Sequence, residues 1–283
     1  MGGGEAILSR MADIGIVIPV FNQVRYTRMC LDSMRDAGVS DDCIIAVDNG
    51  STDETGAFLA SRPRIRVLRN ETNRGCGAAW TQGSQAAAPA KWTVVLNNDV
   101  LIPPGWLEGL VSFAEHGNFH VVSPAMCNGE ADYDVAAHAR DFMARMAAVR
   151  RRGVASGVCF IVHRRVFDAS GYFDDDPRLG GYEDDEFFRR CRAAGFRLAI
   201  TGRAFLHHFG SMTQNAMKAE IQQPESSLGD RAYYRQKYGL TWHKRQRGRW
   251  RERILAAWWR ASERLRHGRT LISDRRDGAF VWR

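Results

Sequence analysis

An α/β fold with a mostly parallel central sheet flanked by helices is predicted by three features of this 283-residue sequence. Short apolar runs rich in β-branched residues recur at 14–21, 43–47, 65–68 and 92–97, as expected for strands covered on both faces. Helix-like segments alternate with them, which favours parallel pairing through right-handed crossovers. Polar clusters stand at the strands' C-terminal ends, the edge where ligands bind in such sheets.

The elements follow in order. The first run, 14–21, contains Pro19, which lacks an N–H and is expected to end the strand's ladder. A helix over 24–37 carries Met29 and Leu31 among spaced charges. The second strand runs into Asp48-Asn49-Gly50-Ser51-Thr52-Asp53, followed by a helix over 54–60. After the third strand, small residues over 78–88 suit a closely packed helix. The fourth strand ends at Asn97-Asn98-Asp99. Beyond it, 121–124, 156–163 and 198–200 read as short strands and 183–194 as a helix, while 142–152 is a helix or a mobile loop. A composition shift around 224–229 sets the boundary between a domain over 1–228 and a basic, Trp-rich helical tail over 229–283.

The net charge of +8 conceals two regions. Residues 231–283 hold 16 Lys and Arg against 4 Asp and Glu, whereas residues 1–230 hold 24 against 28. An apolar fraction of 45% and a charged fraction of 25% exclude disordered and fibrous classes. The six cysteines are scattered without a CxxC or Cys/His cluster, against a zinc site or disulfide framework. The start Met1-Gly2-Gly3-Gly4-Glu5 lacks the pattern of a signal peptide, and no apolar run approaches the roughly 20 residues of a membrane span. A cytoplasmic protein is expected.

Four constellations could carry chemistry. The 48–53 segment is a tight turn with glycine at positive φ and a hydroxyl capping the next helix; a carboxylate there can also accept the imide N–H of uracil or thymine. Asp99 either caps the turn toward Pro103-Pro104 or holds Mg2+ or Mn2+ against a diphosphate. Glu183-Asp184-Asp185-Glu186 places four carboxylates at a helix start. The helix dipole accounts for one or two of them, but four repel one another, and a general base is the sharper reading. His207-His208 ahead of Gly210-Ser211 is a satisfied pair or a metal or phosphate ligand. Tyr182, Trp80 and Trp106 shape the site or pack the core.

In this order, these segments resemble the family 2 glycosyltransferases of the GT-A fold. Residues 16–22 resemble that family's opening strand, 47–53 its nucleoside-binding turn, and Asn73-Arg74-Gly75-Cys76-Gly77 its Asn-x-Gly segment. Leu96-Asn97-Asn98-Asp99 is similar to its DXD-type metal motif, 156–174 and 181–190 to its acceptor block, and His208-Phe209-Gly210-Ser211 to its terminal His motif. The resemblance covers residues 13–215, divided into a nucleotide-sugar half over 13–105 and an acceptor half over 106–215. It implies Asp48 at the base, with Pro19, Phe21, Asn22, Asn73, Gly75 and Asn98 also around the nucleotide. It further implies a Mg2+ or Mn2+ ion on Asp99 and His208, and Asp184 as catalytic base with Glu183 beside it. Asn97 stands where many members have Asp, so metal binding leans on Asp99. The implied reaction is inverting transfer from a UDP- or dTDP-sugar to an acceptor hydroxyl by metal-assisted direct displacement. The family setting is bacterial surface glycan synthesis, such as O-antigen or capsule, with a glycan or lipid-linked glycan as acceptor.

In the tail, Trp250, Ile254, Trp258 and Leu265 recur at helical spacing among eight arginines between Arg245 and Arg266. A basic amphipathic helix over 245–266 fits an anionic membrane surface, the cytoplasmic face of the inner membrane. Its alternatives are a helix packed on the domain, or nucleic-acid binding by interleaved Arg and Trp, which no accompanying module supports. A nucleotide-sugar-binding protein without catalysis is a further alternative, against which Asp184 stands.

Overall fold

The computed structural model describes residues 13–210 and 231–283. The proposed boundary at 228 and Ser211 lie outside these residues, as does the N-terminal segment read for a signal peptide.

The first half is built as the apolar runs require. Strand β1 (Ile14–Val20) pairs in parallel with β2 (Ile44–Asp48), which pairs with β3 (Arg66–Arg69); on its other side β1 pairs in parallel with β4 (Trp92–Leu96). Helices α1 (Val24–Asp36), α2 (Thr55–Ala60) and α3 (Cys76–Ala86) make the connections. Helix α1 buries Cys30, Leu31 and Met34, and Ala79 of α3 packs against Val17 and Val47, so small residues do bring that helix close to the sheet.

Pro19 does not end the strand as expected. It stays in register with Val47, and the β2 ladder continues to Val20 opposite Asp48. Residues alternate in which neighbour they bond. The Val20 carbonyl accepts from Asn49 N, so Pro19 faces β4, where pairing already stops at Val17. Its missing N–H costs no bond.

Beyond β4 the sheet becomes mixed. Strand β5 (Val100–Leu101) precedes α4 (Trp106–Gly117), β6 (Val121–Gly129), α5 (Val135–Met146), β7 (Arg150–Arg152), β8 (Cys159–His163), α6 (Arg164–Ser170), α7 (Glu183–Ala193) and β9 (Leu198–His208). Strand β8 runs antiparallel between β4 and β6, and β9 lies parallel to β6 with a register shift opposite Pro124/Ala125. Strands β6 and β9 are thus longer than the expected 121–124 and 198–200. Segment 142–152 is neither one helix nor a mobile loop: it ends α5 and forms β7.

The C-terminal segment is not wholly helical. After α8 (Arg231–Lys237) and α9 (Trp242–His267), strand β10 (Ile272–Arg276) enters the sheet parallel to β6, and β11 (Ala279–Trp282) completes a hairpin at the sheet edge. The sheet order is β11-β10-β6-β8-β4-β1-β2-β3, with β9 also on β6. The two main cores lie on opposite faces of this sheet. One gathers Ile16, Ile18, Leu31, Trp106 and Leu110; the other gathers Trp80, Phe160, Phe173 and Phe187. Trp80 and Trp106 are therefore core residues. All six cysteines are free, and among the described residues no helix is long and apolar enough to cross a membrane.

Candidate active site

Because β1 and β2 end side by side, the segments after them leave the same sheet edge. Asn22, with φ of 52°, donates its N–H to Ser51 Oγ at 2.9 Å and accepts from Thr52 N at 2.8 Å. Asp48 is buried. Its Oδ1 accepts from Ser51 N at 2.9 Å, and Oδ2 pairs with Arg69 Nη1 at 2.6 Å. Gly50 has φ of +86°, and a Cβ there would stand 2.8 Å from the Thr72 backbone, so both conformation and space require glycine. The tight turn with glycine at positive φ is thus observed, but no hydroxyl caps α2. Its N-cap residue Glu54 makes no side-chain cap bond, and the Thr55 N–H goes to the Asp53 carboxylate at 2.9 Å. Asn49 extends the network, donating Nδ2 to Asn73 Oδ1 at 2.8 Å and accepting from Arg74 N at 3.1 Å. Asn73 Oδ1 also takes the Gly75 N–H at 2.9 Å, at the start of α3. Asn22, Asp48, Asn73 and Gly75 therefore belong to one polar platform, with Pro19 and Phe21 half-buried on the strand leading to it.

A second cluster forms where β4 ends. Asn98 is buried and donates Nδ2 to Thr27 Oγ1 of α1 at 2.9 Å. Strand β5 pairs antiparallel with the end of β9, placing Val100 opposite His208 and Leu101 opposite His207. The Phe209 N–H donates to the Asp99 carbonyl at 2.9 Å. Alternation along a strand sends adjacent side chains to opposite faces, which separates the two histidines. His208 Nε2 lies 3.4 Å from Asp99 Oδ1, with both residues buried. His208 Nδ1 is 2.9 Å from Asn128 Oδ1, and Asn128 Nδ2 donates to Ser273 O at 3.3 Å and to Asp274 Oδ1 at 3.4 Å. With the amide nitrogen committed to two acceptors, the Asn128 oxygen takes the Nδ1 proton and Nε2 is the nitrogen turned toward Asp99.

His207 faces the other way. Its Nε2–H donates to Gly129 O at 3.1 Å, and its Nδ1 accepts from the Tyr133 hydroxyl at 3.0 Å. Burial pulls its pKa down to about 4, so it stays neutral as a structural histidine. Among the described residues no group of three or more His, Cys, Asp or Glu is arranged to hold a metal; Asp99 and His208 form a pair.

The acidic block divides by environment. Glu186 is buried and receives Arg190 Nε on both oxygens at 2.9 Å, together with the Tyr238 hydroxyl. Asp185 is exposed. Glu183, which is buried, and Asp184, which is half-buried, remain as an acidic pair. Burial pushes Glu183 up to about 7 and Asp184 up to about 6, with Asp185 raising Asp184 further. A Cβ on Gly157 would lie 2.1 Å from Asp184 Oδ2, so only glycine lets the β8-side loop approach this carboxylate. Burial, and after it the charges of this pair, raise the thiol of Cys76 at the start of α3; a Cβ on Gly77 would lie 3.2 Å from Glu183 Cγ, which places the first turns of α3 and α7 together. Tyr182 stacks on Tyr234 of α8, with ring centroids 5.2 Å apart.

Three contributors were missed in the sequence: Arg69 on Asp48, Gly157 against Asp184, and Asn128 behind His208. Only Gly157 carried a signal, inside the acceptor-block resemblance. Arg69 and Asn128 act through pairings that sequence spacing does not encode.

Residues 15–171 match the family described as Glycosyl transferase family 2. The glycosyltransferase GlyG of Streptococcus pneumoniae is 27% identical over 113 residues, covering 38% of this chain and 37% of its own. The succinoglycan biosynthesis protein ExoO of Rhizobium meliloti is 28% identical over 111 residues, covering 38% of this chain and 31% of its own. The chain thus spans about a third of the length of these relatives. The crystal structure of Staphylococcus aureus TarS 1-349 in complex with UDP aligns with a TM-score of 0.53 at 17% identity, covering 69% of this chain and 59% of that one. That similarity establishes the shared fold.

Proposed function

The chain belongs to glycosyl transferase family 2, and from that premise we propose that it moves a sugar from a UDP- or dTDP-sugar to an acceptor hydroxyl with inversion. The observation that carries this reading is the pair of buried Glu183 and half-buried Asp184 at the start of α7, packed against Gly77 in the first turn of α3, next to the Asn73–Gly75 part of the polar platform. A carboxylate raised to about 6 is ionised at neutral pH and basic enough to take a proton. The UDP in the aligned TarS complex and the role of ExoO in succinoglycan biosynthesis support a nucleotide donor and a bacterial surface glycan product. The acceptor in this reading is a glycan or lipid-linked glycan, met at the cytoplasmic face of the inner membrane.

Each residue has a stated task. Asp48 keeps further lone pairs beyond its bonds to Ser51 and Arg69, and accepts the base imide N–H. Asn22, Asn73 and Gly75 fix the turns that cradle the nucleoside, with Pro19 and Phe21 at its side. Asn98 holds the end of β4 in place. Asp184 takes the acceptor proton as the hydroxyl attacks the anomeric carbon opposite the departing diphosphate. Glu183 stands beside it, its own carboxyl pushed up to about 7 by burial and by the Asp184 charge.

A divalent ion fits Asp99 and His208. A carboxylate and an oriented imidazole nitrogen 3.4 Å apart offer two donors, and diphosphate and water oxygens supply the remainder of a Mg2+ or Mn2+ shell. Bound there, the ion would neutralise charge on the leaving diphosphate. Two protein donors without a third acid match the presence of Asn97, and the affinity should depend on the nucleotide.

UDP with Mn2+ is expected to raise the melting temperature, whereas Mn2+ alone has little effect. No shift with UDP or dTDP at millimolar concentration would remove the donor-site reading. Asn128→Ala frees the His208 ring and should weaken Mn2+-dependent UDP binding by about tenfold or more, the scale of lost outer-shell support. Titration calorimetry with and without Mn2+ checks this, and an equal loss in the absence of metal would argue for general damage instead.

A further inference from the structure

Helix α9 leaves an apolar stripe without cover. Trp250, Ile254 and Trp258 are 63%, 62% and 61% exposed, and Leu265 is 89% exposed. The spacing of four, four and seven aligns them on one side of the helix. Its opposite side meets the domain through Glu263, the buried residue of the helix, and through Trp259, over which Arg151 lies at 5.4 Å. The packed-helix alternative therefore accounts for one face and leaves the Trp stripe in solvent.

Both ends of α9 are anchored. Before it, Tyr238 bonds Glu186 and Lys237 pairs with Asp174, tying α8 to the helix that carries Asp184. Near its far end, Glu263 takes Arg151 on both oxygens at 2.9 Å and the Leu271 N–H at 2.9 Å, and β10 then enters the sheet. The exposed middle is held as a strut.

We propose that this stripe docks on an anionic bilayer surface, with Trp250, Ile254, Trp258 and Leu265 entering the headgroup boundary. Charge selects this occupant. Eight arginines lie between Arg245 and Arg266, and the acids among them are Glu252 and the already paired Glu263. A second copy of the helix would set arginine against arginine across the seam, without the opposite charges that helix pairing uses. Anionic lipid neutralises the same rows, and tryptophan favours the interface. Because both ends are fixed, docking would also orient the domain, since Tyr238, four residues of chain before the strut begins, bonds Glu186 of α7. That consequence for acceptor supply rests on the transferase reading above; the docking itself does not.

The test is sedimentation of the full chain with phosphatidylglycerol-containing vesicles and with pure phosphatidylcholine vesicles. The wild type should bind the anionic vesicles, and bind them less as salt rises. The triple variant Trp250→Gln, Ile254→Gln, Trp258→Gln should lose about tenfold or more of that binding, since its insertion is removed while its arginines stay. Equal binding by the variant, or none by the wild type, overturns the proposal. So does a wild-type dimer in sedimentation velocity that the variant abolishes, because a second copy would then cover the stripe. The UDP melting shift, measured on the same variant, should be unchanged; its absence in both proteins would count against the donor site and not against the docking.

Discussion

Asp184→Asn is expected to reduce turnover by about 10²- to 10⁴-fold, the range of a positioned general base, while raising stability at pH 8. The two effects share one cause. Burial and the Asp185 charge hold the Asp184 pKa at about 6, against an ordinary 3.8. The folded state binds this proton more tightly than the unfolded chain, so the carboxyl contributes fully below the unfolded pKa. That contribution is lost as pH rises through the folded value. At pH 8 the wild type therefore carries a partly desolvated anion beside the Asp185 charge, which the isosteric amide removes. A shift of roughly two units corresponds to about 2–3 kcal/mol and a melting gain of about 5 °C. The gain should vanish near pH 4, where the wild-type acid is itself protonated.

Asn can still accept the backbone N–H of Asp185 that now reaches Asp184 Oδ1 at 2.9 Å, so the variant should fold. Melting curves at pH 4 and pH 8, with initial rates on the true donor and acceptor, check both halves. The wild-type kcat/KM should rise with pH through about 6. Turnover retained within tenfold would move the base to Glu183, whose Glu183→Gln variant then becomes the decisive one.

The first half of the fold was legible because its strands are buried on both faces, and such strands are written as unbroken apolar runs. Helix α5 was not read, although Asp134 caps it through Ala137 N at 2.8 Å and Ala139, Phe142 and Met146 are buried along one side. Arginines interrupt that pattern, and β7 consists of three arginines whose middle one, Arg151, is buried only because Glu263 meets it. A buried arginine 112 residues from its partner leaves no local trace. The site divides the same way. The turn at 48–53 and the acidic helix start are local motifs, and the place of the turn in the fold could be read from its strand end. The choice between His207 and His208 depended on the antiparallel register of β5 and β9, which is set by packing at long range.

Glu263→Ala should cost about 3–5 kcal/mol, the scale of stranding one buried charge, and lower the urea midpoint accordingly. Removing the carboxylate leaves Arg151 unpaired in a site where both side chains are less than a tenth exposed, and takes the acceptor from Leu271 N. The pair need not be stabilising in itself, because desolvation offsets much of the attraction. The double variant Arg151→Met, Glu263→Leu should therefore recover most of the loss. Recovery would show that the charge stranded by the single change, and not the missing contact, is what unfolds the tail. Where that loss is felt matters more than its size. Strand β10 supplies Ser273 O and Asp274 to Asn128, which orients His208 toward Asp99. If the hairpin detaches before the sheet unfolds, Glu263→Ala should weaken Mn2+-dependent UDP binding at temperatures where the fold remains intact. The double variant should restore that binding together with stability. Binding that stays weak in a restabilised double variant would break the proposed link between the C-terminal strand and the donor site.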